Sequence, residues 1–171
     1  MVALDPAAFI NVSVKDLDMS SNRLPGLDPA ALATLNASLV RLKIGENPLQ
    51  VSHLWSSIMS PRVGLNLSEL DISDIKLGSD QHFQADLFTF FRDLQTLNLS
   101  GCALSTLPLE LIHSLPNLRE LDISRNALSS IADISLSALS TLNSLRRIYL
   151  HSNPWHCDAC LIGPLLRWLD A

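Results

Sequence analysis

Residues 118–128 read Leu118-Arg119-Glu120-Leu121-Asp122-Ile123-Ser124-Arg125-Asn126-Ala127-Leu128. Counting Leu118 as slot 1, apolar side chains stand at slots 1, 4, 6 and 11 and an asparagine at slot 9. Five further windows carry the phrase: Val14, Leu17, Met19, Asn22, Leu24; Leu39, Leu42, Ile44, Asn47, Leu49; Leu67, Leu70, Ile72, Ile75, Leu77; Leu94, Leu97, Leu99, Cys102, Leu104; and Leu145, Ile148, Leu150, Asn153, Trp155. Successive starts lie 24 to 28 residues apart, the period of a repeated supersecondary unit. Slots 3 to 7 alternate with period two, which predicts a short strand with its aliphatic residues on one face. One such strand cannot bury that face alone, but parallel strands stacked side by side make a continuous core. Asparagine at slot 9 is expected to hydrogen-bond the backbone of adjacent turns, which burial would otherwise leave unpaired. Cys102 can fill that slot as a small, weak donor. Ile75 cannot, so a bend or a water-satisfied turn is expected in the third repeat.

Between strands the chain must return along the opposite side. Asp28-Pro29 before Ala30-Ala31-Leu32 reads as an N-cap, a proline at the first helical position and a short helix. Asp5-Pro6 before Ala7-Ala8-Phe9 repeats the phrase, so the chain is expected to begin within an earlier repeat. The longest returns hold Trp55 and the aromatic run Phe88, Phe90 and Phe91, which is expected to pack beneath the outer layer. The fold expected is α/β: a solenoid with a curved parallel sheet on its concave side and short helices and irregular returns on its convex side. Residues 1–153 form the array of about six repeats, and 154–171 its C-terminal end.

These windows resemble leucine-rich repeats. The ending Asn153-Pro154-Trp155-His156-Cys157-Asp158-Ala159-Cys160, followed by Leu161 to Leu169, looks like the cysteine-rich C-terminal cap of extracellular arrays of that family. The repeats and cap together are similar to those of chaoptin-like adhesion proteins, Toll-family receptors and Slit-type guidance proteins, over residues 4–171. The resemblance implies that Cys157 and Cys160 form cap disulfides with two cysteines further along, so 154–171 would be a partial cap. Two residues separate the leading cysteines here, where the family usually has one. The same Cys-x-x-Cys admits a redox pair at a helix N-terminus, or part of a zinc site with His151 or His156, although finger-like ligand spacing is missing.

Composition narrows the function. Of 171 residues, 47% are hydrophobic but only 5% aromatic, so the core is aliphatic, and the net charge of −5 argues against nucleic acid or an anionic membrane as partner. There is no nucleophile elbow, phosphate loop or metal-protease motif, and the five histidines show no catalytic spacing. No cofactor is expected. Four Asn-x-Ser sequons, at Asn11, Asn36, Asn66 and Asn98, suit a secreted chain, Asn98 lying in a strand where a glycan would obstruct the concave face. The first eleven residues lack the pattern of a secretion signal, which would then lie outside this chain together with any membrane anchor.

Aligned slot-3 residues are Asp16, Arg41, Glu69, Thr96, Glu120 and Arg147; slot-5 residues are Asp18, Lys43, Asp71, Asn98, Asp122 and Tyr149. The first three repeats are expected to neutralise one another across the sheet. A calcium site from Glu69, Asp71 and Asp74 lacks a loop to supply carbonyls. The partner-binding surface expected is the cap-proximal patch of Glu120, Asp122, Arg125, Arg147, Tyr149 and His151, because Tyr and Arg are favoured interface anchors. The function expected is that of a non-catalytic module of a cell-surface or secreted adhesion or receptor protein, binding a protein ligand or a second copy. An intracellular scaffold is the alternative, and a thiol-disulfide protein using Cys157 and Cys160 a third.

Overall fold

The computed structural model describes residues 5, 7–35, 37–50, 67–79 and 85–170, with backbone alone at 29, 79, 85–87 and 159–161. Six strands form one parallel sheet in chain order: β1 (Asp16–Asp18), β2 (Arg41–Lys43), β3 (Glu69–Asp71), β4 (Thr96–Asn98), β5 (Glu120–Asp122) and β6 (Arg147–Tyr149). Every pairing keeps the slots of the repeat in register, so Leu17, Leu42, Leu70, Leu97, Leu121 and Ile148 stand side by side. The returns carry α1 (Pro29–Ala33), α2 (Leu109–Ser114), α3 (Asp133–Thr141) and α4 (Ala159–Leu169), with 3-10 turns at Leu77–Ser79 and Ala85–Phe90. The Asp28 carboxylate caps α1 by accepting from the Ala30 amide at 2.8 Å, and Asp5 accepts in the same way from Ala7 at 2.8 Å.

The core is the stacked slots. Leu42, Leu70 and Leu97 at slot 4, and Ile44, Ile72, Leu99 and Ile123 at slot 6, are wholly buried. Burying a side chain of this size contributes about 1.5–3 kcal/mol, and the stack repeats that gain at each layer. Phe88 and Phe91 are also fully buried, with ring centroids 6.2 Å apart at a tilt of 56°. Phe90 departs from the expectation: it is 38% exposed where its two neighbours in the run are buried. Trp55 lies outside the described residues.

Successive repeats are tied by one backbone pattern. The slot-2 carbonyl accepts from the slot-2 and slot-3 amides of the next repeat, as Lys15 does from Val40 and Arg41. The slot-6 amide donates to the next slot-5 carbonyl, and the slot-8 amide to the next slot-7 carbonyl, as Ile44 does to Asp71 and Glu46 to Ser73. To aim that last amide, slot 8 adopts the left-handed conformation in every repeat: Ser21, Glu46, Asp74, Arg125 and Ser152 have φ between 54° and 56°, and Gly101 has φ 69°. The cost of a non-glycine residue there, about 1 kcal/mol each, is offset at Ser21, Glu46, Asp74 and Arg125 by the bond the amide makes.

Slot 9 does what its residue type predicts. The Asn126 amide nitrogen donates to Leu99, Ile123 and Ser124 carbonyls at 2.9–3.0 Å, and its oxygen accepts from Leu104 N–H at 3.0 Å. Asn47 and Asn153 repeat the arrangement. Each slot-6 carbonyl therefore has two possible donors, its own slot-9 residue and that of the next repeat. Of the two outcomes expected at the apolar Ile75, a bend or a water-satisfied turn, the bend is not seen, and this sharing is the reason. Its neighbours cover for it: Asn47 donates to Ile44 O at 2.9 Å, and the Cys102 thiol to Ile72 O at 3.2 Å. The backbone ladder passes on either side of Ile75 undisturbed, with Glu46 to Ser73 and Asp74 to Ser100 both at 2.8 Å. Ile75 itself is buried among the core residues.

Burial pushes the Cys102 thiol up from 9.0 to about 12, which keeps it protonated and able to donate. Its folded-state value lies above the unfolded one, so this contribution to stability is complete below about pH 9 and is lost as pH rises toward 12. The alkaline fall in denaturation midpoint should accordingly be smaller in Cys102→Ser than in the parent chain. Asn126→Ala, which leaves buried carbonyls and the Leu104 amide unpaired, should lower stability by about 2–3 kcal/mol in chemical denaturation.

Candidate functional site

The concave face is built from slots 3, 5, 7 and 8. At slot 5, Asp18, Asp71, Asn98 and Asp122 each accept from the backbone amide two residues on, at 2.9–3.0 Å from Ser20, Ser73, Ser100 and Ser124. The phrase Asp/Asn-x-Ser is thus a turn motif that ends the strand, because the side chain takes over a bond that the ladder no longer supplies. Hydroxyl and then amide bonds from Ser20, with Lys43 nearby, hold the Asp18 carboxyl below its ordinary value. Asn98-Leu99-Ser100 is at once a sequon and this turn. Its amide nitrogen, the atom a glycan would take, donates to Asp71 Oδ2 at 3.0 Å. Asn11 is exposed at φ 61°; Asn36 and Asn66 lie outside the described residues.

Charges pair across the strands. Arg41 donates to Asp16 at 2.6 Å, and Lys43 reaches diagonally to Glu69 at 3.1 Å rather than to Asp71 opposite it. Hydrogen bonding to Glu69 raises the Lys43 ammonium above its ordinary value. The mutual neutralisation expected of the first three repeats is therefore present. The calcium reading finds its ligands engaged: Glu69 with Lys43, Asp71 with Ser73 and Asn98, Asp74 with Arg125. Among the described residues no group of three or more His, Cys, Asp or Glu is placed to hold a metal.

At the cap-proximal end, Arg147 meets Glu120 at 2.9 Å, and hydrogen bonding to Tyr149 followed by the charge of Glu120 raises its guanidinium above the ordinary value. Asp122 stands opposite Tyr149, and His151 is exposed at slot 7. Arg125 faces another way. Its two terminal nitrogens clamp both oxygens of Asp74, at 2.9 and 3.1 Å, two repeats back. Asp74 and Arg125 occupy slot 8 of the third and fifth repeats, and between them slot 8 of the fourth is Gly101. A Cβ on Gly101 would come within 2.2 Å of Asp74 Oδ1. The bridge thus passes over a residue with no side chain, a signal visible only once the repeats are aligned at slot 8.

The array ends on Trp155, whose indole donates to Leu150 O at 3.0 Å, and on α4, where Leu165 is buried and Trp168 donates to Ser140 Oγ at 2.8 Å. Cys157 is an exposed free thiol; the Cys160 side chain lies outside the described residues. No helix among the described residues is long and apolar enough to cross a membrane.

Gly101→Val should break the Asp74–Arg125 bridge and force a β-branched residue to positive φ, lowering stability by about 2 kcal/mol. Asp74→Asn, which removes only a half-exposed ion pair, should shift the melting temperature much less. Melting curves of the two variants decide whether backbone or bridge governs this rim.

Three comparisons place this architecture. The leucine rich repeat family model matches residues 65–128 and 92–154, and a second leucine rich repeat model matches 13–35. Trophoblast glycoprotein of Macaca fascicularis is 30% identical over 92% of this chain and 40% of its own length. Transforming growth factor beta activator LRRC32 of Mus musculus is 31% identical over 92% of this chain and 18% of its own. The chain thus spans less than half the length of either relative. The crystal structure of human trophoblast glycoprotein superposes with a TM-score of 0.74 at 22% identity, over 98% of this chain and 71% of that one, which establishes the shared fold. The chain belongs to the leucine-rich repeat family.

Proposed function

We propose that this chain is a non-catalytic protein-binding segment of a cell-surface or secreted protein, and that its partner meets the concave face at the cap-proximal strands. The observation that carries the reading is the change in chemistry along the two ladders. From β1 to β4 their members are acids, bases and small polar residues, whose charges are largely spent on one another. At β6 the ladders reach Arg147, which pairs with Glu120 yet keeps two-thirds of its side chain exposed, beside Tyr149, their single aromatic member. Arginine and tyrosine supply much contact energy for little ordering cost. Glu120, Asp122 and His151 complete the patch. Arg125 belongs to it as a rim residue, oriented by Asp74.

The surface setting draws on the relatives. One is named a glycoprotein and another an activator of a growth factor; a solenoid in such a protein acts through its face. Residues 154–171 are assigned as the partial cap, with Cys157 and Cys160 its disulfide cysteines, and Asn11, Asn36, Asn66 and Asn98 as glycan acceptors. A glycan on Asn98 would have to share the nitrogen that now meets Asp71, leaving the strands beyond it as the accessible face.

A photo-crosslinking amino acid placed at Tyr149, in chain secreted and applied to cell surfaces, should capture a protein that the same probe at Asp18 does not. Equal capture at both positions, or none at Tyr149, would refute the assignment of the face.

A further inference from the structure

The strand entries of the array form a row of their own. Slot 2 of the six repeats is Lys15, Val40, Ser68, Gln95, Arg119 and Arg146. The amide of each donates to the carbonyl of the one before it, at 2.8 Å throughout. Their side chains therefore leave the backbone at the spacing of adjacent strands, about 4.8 Å. At the cap-proximal end this sets two exposed arginines, Arg119 and Arg146, next to each other. Like charges opposed on neighbouring strands destabilise a sheet. The basic residues within the six strands avoid that arrangement, since Arg41, Lys43 and Arg147 each meet an acid, at Asp16, Glu69 and Glu120.

Among the described residues neither arginine of this pair forms an ion pair. Arg146 donates instead to the Asn143 and Leu145 carbonyls, at 2.8 and 3.0 Å, which leaves its charge in place. The acid beside them, Glu120, is spent on Arg147. Positive charge thus gathers at the entry to β5 and β6 of a chain whose net charge is −5. We propose that Arg119 and Arg146, together with Arg147, dock an acidic segment of the protein partner, whose carboxylates lie across the strand entries while its neighbouring residues reach Tyr149. The planar guanidinium matches a carboxylate through paired hydrogen bonds, and such a segment relieves the like-charge pair. Glu120 and Asp122 follow on the same strand and repel a continuous polyanion such as a sulfated glycan, so spaced carboxylates on a protein are the better fit. The inference rests on the protein-binding reading above and adds to it the charge of the partner.

A labelled peptide of alternating glutamate and serine, followed by fluorescence polarisation with the whole chain, should bind saturably, and its glutamine counterpart should not. Arg119→Gln combined with Arg146→Gln should weaken binding about tenfold. Lys15→Gln, at the same slot on the far end of the row, should leave it unchanged. The double variant should melt no lower than the parent chain, because it removes a like-charge pair. A marked fall in its melting temperature would make the arginines structural and overturn the proposal. So would absence of saturable binding, binding indifferent to the double variant, or an equal loss with Lys15→Gln. A heparin fragment that binds more tightly than the peptide, and is lost in the double variant, would assign the row to a glycan and overturn it too. If the double variant leaves capture by the probe at Tyr149 undiminished, the acidic docking falls and the wider reading stands. No capture at Tyr149 by the parent chain would sink both.

Discussion

Everything in this solenoid depends on satisfying buried backbone groups where each strand turns out of the sheet. The strands are three residues long, so the ladder alone cannot hold them. The slot-8 amide and the slot-6 carbonyl, both beyond the strand, complete the connection between layers. The first needs a left-handed residue once per repeat, and the second a side-chain donor at slot 9. Since an unpaired buried polar group costs more than a paired one gains, these turns govern which residues the repeat tolerates.

That requirement is shared, which explains how Ile75 persists. Each slot-6 carbonyl can be reached from its own repeat and from the next, so one apolar residue leaves a donor on either side. The tolerance has a limit. Two successive apolar slot-9 residues would strand the carbonyl between them, so the donors flanking Ile75, Asn47 and Cys102, are the ones with no reserve. A raised thiol pKa serves the same end, since only the protonated Cys102 can donate to Ile72.

The fold was largely legible because it is periodic: slot 4 and slot 6 residues, the registers and the capping role of Asp28 follow from one aligned phrase. What stayed hidden depends on alignments at slots not counted. Asn98-Leu99-Ser100 reads as a sequon in isolation, but beside Asp18-Met19-Ser20, Asp71-Ile72-Ser73 and Asp122-Ile123-Ser124 it is one more strand-ending turn. The Asp74–Arg125 bridge skips a whole repeat, and only the missing side chain at Gly101 announces it. Lys43 chose Glu69 over Asp71, because a long flexible side chain reaches diagonally and Asp71 is already engaged by Ser73 and Asn98. Phe90 is exposed for a simpler reason, since the adjacent Phe90 and Phe91 at the end of the 3-10 turn cannot both face inward.

These local pairings also shape the candidate surface. Every charge that finds a neighbour within the sheet is less available to a partner, so the face becomes selective by subtraction. The first three repeats neutralise themselves, the fourth presents Thr96, Asn98 and Gly101, and Arg125 is turned back toward the third. At β6 Arg147 pairs with Glu120 as well, yet two-thirds of its side chain stays exposed beside Tyr149. The patch at β6 thus differs from the self-neutralised strands in its exposed area and its aromatic member, and not in being unpaired.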